Sequence, residues 1–349
     1  MNEALNAALH AEYGGVHAMG GIHTMAGPGP GDVHVDAALS NLAVRYRPNE
    51  GLLLADMVCP VIPVAKRSDK YFTFNVANSI DLARADIAGQ QGMPMQVSWG
   101  LSTDSYNVVD FGFRDFVPSD VMSNADAPLR PLADSTETLM DRLLLAREFR
   151  VATLVGATGS YGGNTVSLSG AQKWSNPASD PVADIETALA TAGLNAMPNT
   201  MVLGKAAYDA LRRHPALERY ILSRSSTRMG AVGFRVDEQM IADAFGLDKV
   251  YVGKARYNSA NPGATVTNTY IWGDVCALIR VEARPSANRT ATFAYTFRFS
   301  PSGGSAIETR TWFDQAPGVR GGNWVKVTHS DTEKLVAGSN AGYLINDIT

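Results

Sequence analysis

Between Ser135 and about Val155 the chain runs for some twenty residues without a helix breaker. Leu139, Leu143, Ala146 and Arg150 fall along one side, and Met140, Leu144, Phe149 and Ala152 widen the apolar face. That spacing is helical. Asp134 is placed as N-cap, with Glu137 three residues on as its capping-box partner. Acids (Asp134, Glu137, Asp141) come early, and Arg147 and Arg150 come late, in the sense that suits the helix dipole. At ~1.5 Å per residue such a helix spans roughly 30 Å. That is long for a domain of this size, and the rest of the chain has to accommodate it.

The elements around it are mixed. Tyr71–Val76 alternates like a strand, and a second extended stretch runs from Gln96 to about Phe113, with Val97, Trp99 and Leu101 on one face. Ala77–Met95 between them is too long for a hairpin turn, and connections of that length are usually functional or disordered. From Asp180 the pattern becomes alternating helix and strand. The helices begin at Pro181, Lys205 and Val236, the strands are Thr200–Leu203, Lys249–Gly253 and Thr269–Val281, and a further turn of helix passes through Leu217 and Ile221. The end of the chain returns to strands: Thr290–Phe299, Ile307–Phe313, Trp324–Thr328 and a tail. A helix-poor start, one long helix, an α/β block and a β-rich end predict an α+β protein. Its 349 residues suffice for two domains or one elaborate one.

The first 44 residues are unlike the rest. They contain Glu3, Glu12, Asp32 and Asp36 and no Lys or Arg, so the formal charge of -4 sits there and the remainder is neutral. A basic nucleic-acid-binding tail is thereby excluded, since it needs clustered Lys and Arg. Gly14-Gly15-Val16-His17-Ala18-Met19 is echoed by Gly20-Gly21-Ile22-His23-Thr24-Met25. Such a segment buries too little apolar surface to offset its own ordering entropy. It is either disordered or ordered by neighbouring chains. The longest apolar run, Leu52–Ala65, is broken by Asp56, Pro60 and Pro63, and the start lacks the basic and apolar regions of a signal peptide. A soluble protein made in a cytoplasm is expected, with Cys59 and Cys276 as reduced, small apolar side chains and a disulfide between them as the lesser reading.

A search for chemistry finds little. Beyond Arg45 the only histidines are His214 and His329. His214 precedes Pro215 and reads as the favourable C-terminal residue of a helix. His329, Ser330 and Asp331 are adjacent, but an extended segment points neighbours to opposite faces, so they do not make a triad. Gly156–Gly163 lacks the Lys-Ser/Thr pair of a phosphate loop and follows a helix rather than a strand, so it reads as a flexible junction. The arm histidines His10, His17, His23 and His34 match no metal-ligand spacing. Arg212, Arg213, Arg219, Arg224, Arg228 and Arg235 cluster without an aromatic ladder, which suits a solvated or subunit-contacting surface. The carboxylates are scattered. The expectation is no enzyme, no cofactor and no metal.

Four stretches carry a resemblance. They are Leu39–Tyr71, with Ala-Asp-x-Val-x-Pro-Val at Ala55–Val61; Tyr106–Glu148; Thr200–Ile221; and Ile271–Val281, with Trp272-Gly273-Asp274. In order and spacing the chain resembles the major capsid proteins of tailed bacteriophages, with the HK97-like fold. The resemblance implies an N-terminal arm (1–50), a lead-in and peripheral strand (51–65), and an extended E-loop hairpin (66–112). A peripheral domain with the long spine helix (113–179), an α/β axial domain (180–285) and terminal peripheral strands with a tail (286–349) complete the implied architecture. It implies self-assembly into hexamers and pentamers of an icosahedral shell around double-stranded DNA, without sequence-specific binding and without a membrane. Scaffolding, portal and decoration proteins are the implied partners, and the virion, assembled in the host cytoplasm, is the implied location. E-loop contacts would involve Ile80, Asp86, Gln90, Met93 and Trp99, and arm contacts His17, Met19, His23 and Met25. Tyr71–Phe113 contains no Lys, so the isopeptide cross-links of some members are not expected. An encapsulin-like cellular compartment shell shares the fold and typically lacks a long arm.

Overall fold

The computed structural model describes residues 34–35, 53–73, 102–125, 129–193, 196–224, 236–261, 264–282, 292–300, 306–337 and 341–349. The chain divides into two units, Met1–His34 and Val35–Thr349. A two-residue strand, β1 (His34–Val35), stands at the boundary. The second unit begins with α1 (Ala55–Val58), β2 (Val61–Val64), β3 (Ser68–Thr73), β4 (Ser102–Asn107), β5 (Val109–Pro118), α2 (Ser119–Ser123), α3 (Pro131–Gly156) and β6 (Thr165–Ser167). Next come α4 (Pro181–Gly193), β7 (Thr200–Gly204), α5 (Lys205–Leu211), α6 (Pro215–Arg224), α7 (Glu238–Phe245), β8 (Lys249–Gly253), β9 (Arg256–Asn258) and β10 (Asn268–Tyr270). The last are β11 (Val275–Ile279), β12 (Ala294–Phe299), β13 (Ile307–Asp314), β14 (Gly322–Leu335) and β15 (Gly342–Asn346). The fold is α+β.

The long helix α3 has 26 residues, about 39 Å at the helical rise. It starts a turn earlier than the capping pattern predicts. Pro131 takes the first helical position, where its missing N–H is no loss. Asp134 is therefore not the N-cap; it sits in the first turn, and its Oδ2 accepts the Arg130 N–H at 3.1 Å. Leu139, Met140 and Leu143 pack on Val117, Val325 and Val327 of β5 and β14. Val151, Ala152 and Val155 pack with Leu54, Val58, Cys59, Val202, Ala277 and Leu344. Phe149, expected on the apolar face, is 45% exposed and meets Tyr257 edge to face at 5.3 Å between centroids.

The first sheet is organised by β14, which extends well beyond the expected Trp324–Thr328. Its first part pairs antiparallel with β13 on one side and β5 on the other, its last residues pair with β12, and β12 runs parallel to β2. The second sheet has the order β6-β15-β11-β7-β8. Its last strand in sequence, β15, thus lies beside β11 rather than with β12–β14. One face carries an apolar core that includes Ile185, Met201, Leu203, Leu211, Leu217, Ile241 and Leu278, drawn from the sheet and from α4–α7. The expected single strand Thr269–Val281 is two, β10 and β11, because Gly273 turns the chain with φ +62. Asp237 caps α7 by accepting Met240 N–H at 2.9 Å, and Gly246 closes it in the left-handed region.

The expected E-loop is described only at its base. There β3 and β4 pair antiparallel, from Ser68 opposite Asn107 to Thr73 opposite Ser102. Val97 and Leu101, and the contact residues Ile80, Asp86, Gln90, Met93 and Trp99, lie outside the described residues, as do His17, Met19, His23 and Met25.

Candidate functional site

The second half of α3 carries charge into the interior. Glu148 is fully buried. Its carboxylate accepts the Leu54 N–H at 2.9 Å, the Ala55 N–H at 2.7 Å and the Trp272 indole N–H at 2.5 Å. Leu54 is the N-cap of α1 and offers no side-chain acceptor, so Glu148 satisfies the open N–H groups of that helix from another element. Burial pushes the Glu148 carboxyl above its ordinary range; the Leu54, Trp272 and Ala55 donors and nearby Arg147 oppose this only in part. Trp272 reaches Glu148 because β8 ends in glycine. A Cβ on Gly253 would stand 2.3 Å from the indole ring. Asp274, two residues on, accepts the Thr349 N–H at 2.7 Å and so ties down the last residue.

Beside it lies an ion cluster. Arg147, 2% exposed, donates to Asp56 and, at 3.2 Å, to Thr296 Oγ1. Arg150 donates to Asp331 at 2.8 Å and Glu333 at 3.0 Å, with its guanidinium 3.7 Å over the Phe111 ring. Arg298 donates to Asp331 at 3.2 Å, and His329 Nε2 lies 3.1 Å from Asp331 Oδ2. Burial alone would raise the Asp331 carboxyl, but His329, Arg150 and Arg298 hold it down to about 2. The cluster joins α1, α3, β12 and β14.

The expected non-catalytic histidines take definite places. His214 is buried, with Nε2 3.0 Å from Asn176 O, while Nδ1 accepts the Ala216 N–H at 3.2 Å. It therefore caps the start of α6 instead of complementing the end of α5. His329 and Asp331 share the buried face of β14, whereas Ser330 points the other way and donates to Asp110. Gly156–Gly163 is not an open junction. Ser160 donates to Leu154 O at 2.7 Å and Tyr161 to Val155 O at 2.7 Å, closing the end of α3. Cys59 and Cys276 are buried free thiols, and burial pushes Cys59 up to about 12. Of the arginine cluster, Arg212 pairs with Asp209 and Arg224 donates to Ala244 O; Arg228 and Arg235 lie outside the described residues. Among the described residues no His, Cys, Asp and Glu group is arranged to hold a metal ion, and no helix is long and apolar enough to cross a membrane.

The loop base is fixed to the first sheet. Tyr106 stacks on Phe297 at 4.7 Å between centroids, Tyr71 tilts against the same ring at 5.2 Å, and the Tyr71 hydroxyl lies 2.9 Å from both Asp104 Oδ2 and Leu335 O. The charged joint, by contrast, is not foreseen from sequence patterns, in which Arg147 and Arg150 suit the helix dipole and the acids look scattered. The available signal is Arg150 itself, standing in line with Leu139, Leu143 and Ala146 where an exposed charge has no place.

Residues 159–283 match the family described as phage major capsid protein E. Over 319 residues the chain is 31% identical to the major capsid protein of Pseudomonas phage JBD67, covering 90% of this chain and 96% of that protein. A phage-related protein from Bordetella bronchiseptica RB50 is similar in structure with a TM-score of 0.66 at 26% identity, covering 90% of this chain and 97% of that one. A chain from the capsid of cyanophage P-SCSP1u gives a TM-score of 0.55 at 8% identity, covering 86% and 90%, a likeness of fold.

Proposed function

The chain belongs to the family of bacteriophage major capsid proteins, and from that premise we propose that its copies close into hexamers and pentamers of an icosahedral head around the double-stranded DNA of a tailed phage. As a capsid protein it is a component of the virion. The observation that carries the assembly reading is the base of the loop. A two-stranded stem clamped by Tyr71, Tyr106 and Phe297 starts residues 74–101 from a fixed place on the first sheet. A capsomer is closed by heterologous contacts, in which one patch meets a different patch on the next copy. Ile80, Asp86, Gln90, Met93 and Trp99 are the loop side chains assigned to such contacts. The arm contributes His17, Met19, His23 and Met25, ordered on assembly. The role is structural and needs no catalysis. Scaffolding, portal and decoration proteins complete the partner set.

Expression of the full chain, followed by sedimentation and negative-stain imaging, tests this reading. Closed shells are expected; a chain that stays monomeric at every concentration overturns it. Particles recovered from the source filled with an enzyme cargo and no DNA would favour the compartment-shell alternative.

A further inference from the structure

The first sheet holds a recess of about 300 Å³ on the face turned away from α3. Its lining includes the cations Arg67, Arg310 and Lys326, the acids Asp110 and Glu308, and the Phe299 ring. Both acids are already answered within the chain. Asp110 accepts from Arg67 and Ser330, and Glu308 pairs with Arg310 at 2.9 Å. Lys326 is left over. It is exposed, and among the described residues it makes no ion pair. The register sets it directly opposite Arg310 on one side and Arg114 on the other. Like charges directly opposite one another destabilise a sheet. Arg114 rests 4.7 Å over the Trp324 ring and is not part of the lining, so Arg310 and Lys326 are the neighbouring pair that the recess receives. Thr328, two residues on from Lys326 and on the same face, also lines it. Its place depends on Gly112 across the strand pair, where a Cβ would stand 2.4 Å from Thr328 Cγ2.

We infer that the recess binds a small phosphoester, with its phosphate on Lys326 and Arg310. The inference goes beyond the capsid reading and does not depend on it. Hydrogen bonds between ionised partners are the strong ones, and a guanidinium beside an ammonium suits a phosphate. The three terminal oxygens of a phosphomonoester let one group bridge both cations and accept from the Thr328 hydroxyl. An anion held there also removes the repulsion that the register imposes. Size and lining select an ester over the bare ion. A recess of about 300 Å³ lies at the small end of organic-ligand pockets, and Phe299 and Ala306 give it an apolar side for a carbon skeleton. A carboxylate brings fewer oxygens and less charge to the same donors. A DNA duplex fits less well. A phosphate track needs a continuous run of cations, whereas Asp110 on β5 and Glu308 on β13 stand on either side of this one.

The test is calorimetric titration of the full chain at constant ionic strength, with deoxyadenosine monophosphate, inorganic phosphate and a short DNA duplex as probes. Saturable binding of the nucleotide is expected, with inorganic phosphate weaker by about tenfold for want of the apolar side. Lys326→Gln is expected to weaken nucleotide binding by about tenfold or more. The same variant should keep or raise the thermal midpoint of the free chain, because it takes away the central like charge. A lysine with a merely structural role would lower that midpoint and leave the affinity alone. Arg213→Gln, at an exposed arginine between α5 and α6, is the control and should bind as the unaltered chain does. Absence of saturable binding up to ~10 mM nucleotide overturns the inference, and so does equal affinity in Lys326→Gln. Equal affinity for nucleotide and inorganic phosphate overturns the ester in favour of the bare ion. A duplex that binds at least as tightly as the nucleotide, and loses that binding in Lys326→Gln, overturns the small ligand and gives the recess to nucleic acid.

Discussion

The two halves of α3 do the same job by different chemistry. In the first half Leu139, Met140 and Leu143 lie against Val117, Val325 and Val327, apolar on apolar. Such a contact is non-directional and tolerates small adjustments. In the second half Arg147, Glu148 and Arg150 meet Asp56, Asp331, Glu333, Trp272 and two backbone N–H groups. There each group depends on a partner at a set distance, because a buried charge left alone costs several kcal/mol. The first half holds the helix on the sheet, and the second fixes where α1, β12, β14 and the Trp272 turn stand around it. For a shell tile this division is useful. Removal of bulk weakens the first half by degrees, whereas loss of one partner in the second leaves uncompensated groups on several elements at once.

The largest effect should come from breaking the second half. Glu148→Ala removes the acceptor for three N–H donors and leaves a void, and about 4 kcal/mol of destabilisation is expected in denaturant titration of the unassembled chain. A loss under about 1 kcal/mol would mean that water replaces the carboxylate and the joint is looser than described. Leu143→Ala tests the first half. Truncating a fully buried Leu is expected to cost about 3 kcal/mol, less than Glu148→Ala. The reverse order would erase the distinction between the halves.

Acid should separate them next. Asp331 is held down to about 2 from an ordinary 3.8, so its contribution is fully present above pH ~4 and is lost as pH falls from there through 2. It amounts to roughly 2 kcal/mol. Glu148, held above its ordinary value, runs the other way and opposes folding less as pH falls through its folded value. Stability measured against pH should therefore fall steeply only on the acid side of pH 4. Asp331→Asn should flatten that limb, whereas Leu143→Ala should lower the whole curve without changing its shape. An unchanged acid limb in Asp331→Asn would remove the cluster from the explanation.

The same contrast governs what the sequence reveals. Apolar spacing marks α3, α4 and α7, and an Asp and a Gly mark the two ends of α7, because those signals are local. The start of α3 is misplaced because Asp134 and Glu137 imitate a cap, whereas the helix begins at Pro131, whose fixed φ suits the first helical position. The joint is hidden for a different reason. Asp56, Glu148, Trp272 and Asp331 are brought together by topology, and no spacing in the chain encodes a pairing across two sheets. Three of the four stretches that resemble the capsid family, through Ala55–Val61, the end of Tyr106–Glu148 and Trp272-Gly273-Asp274, meet there, whereas Thr200–Ile221 does not. A family pattern can point to such a site even when residue chemistry alone does not.

Volume-conserving substitutions give the smallest and sharpest comparison. Glu148→Gln keeps the shape but replaces one acceptor oxygen with an NH₂ that must face the N–H of Leu54, Ala55 or Trp272. Donor against donor in a dry site should cost about 2 kcal/mol. Leu143→Met also keeps the volume, and its flexible thioether can follow the gap beside Val325 and Val327, so a cost under about 1 kcal/mol is expected. Both are read as denaturant midpoints at neutral pH, with the slope checked for an unchanged unfolded state. If Glu148→Gln is as mild as Leu143→Met, the second half is held by packing like the first, and the ion cluster only occupies space. If Leu143→Met is as severe, the first half is a strict jigsaw, and the tolerance ascribed to it is wrong.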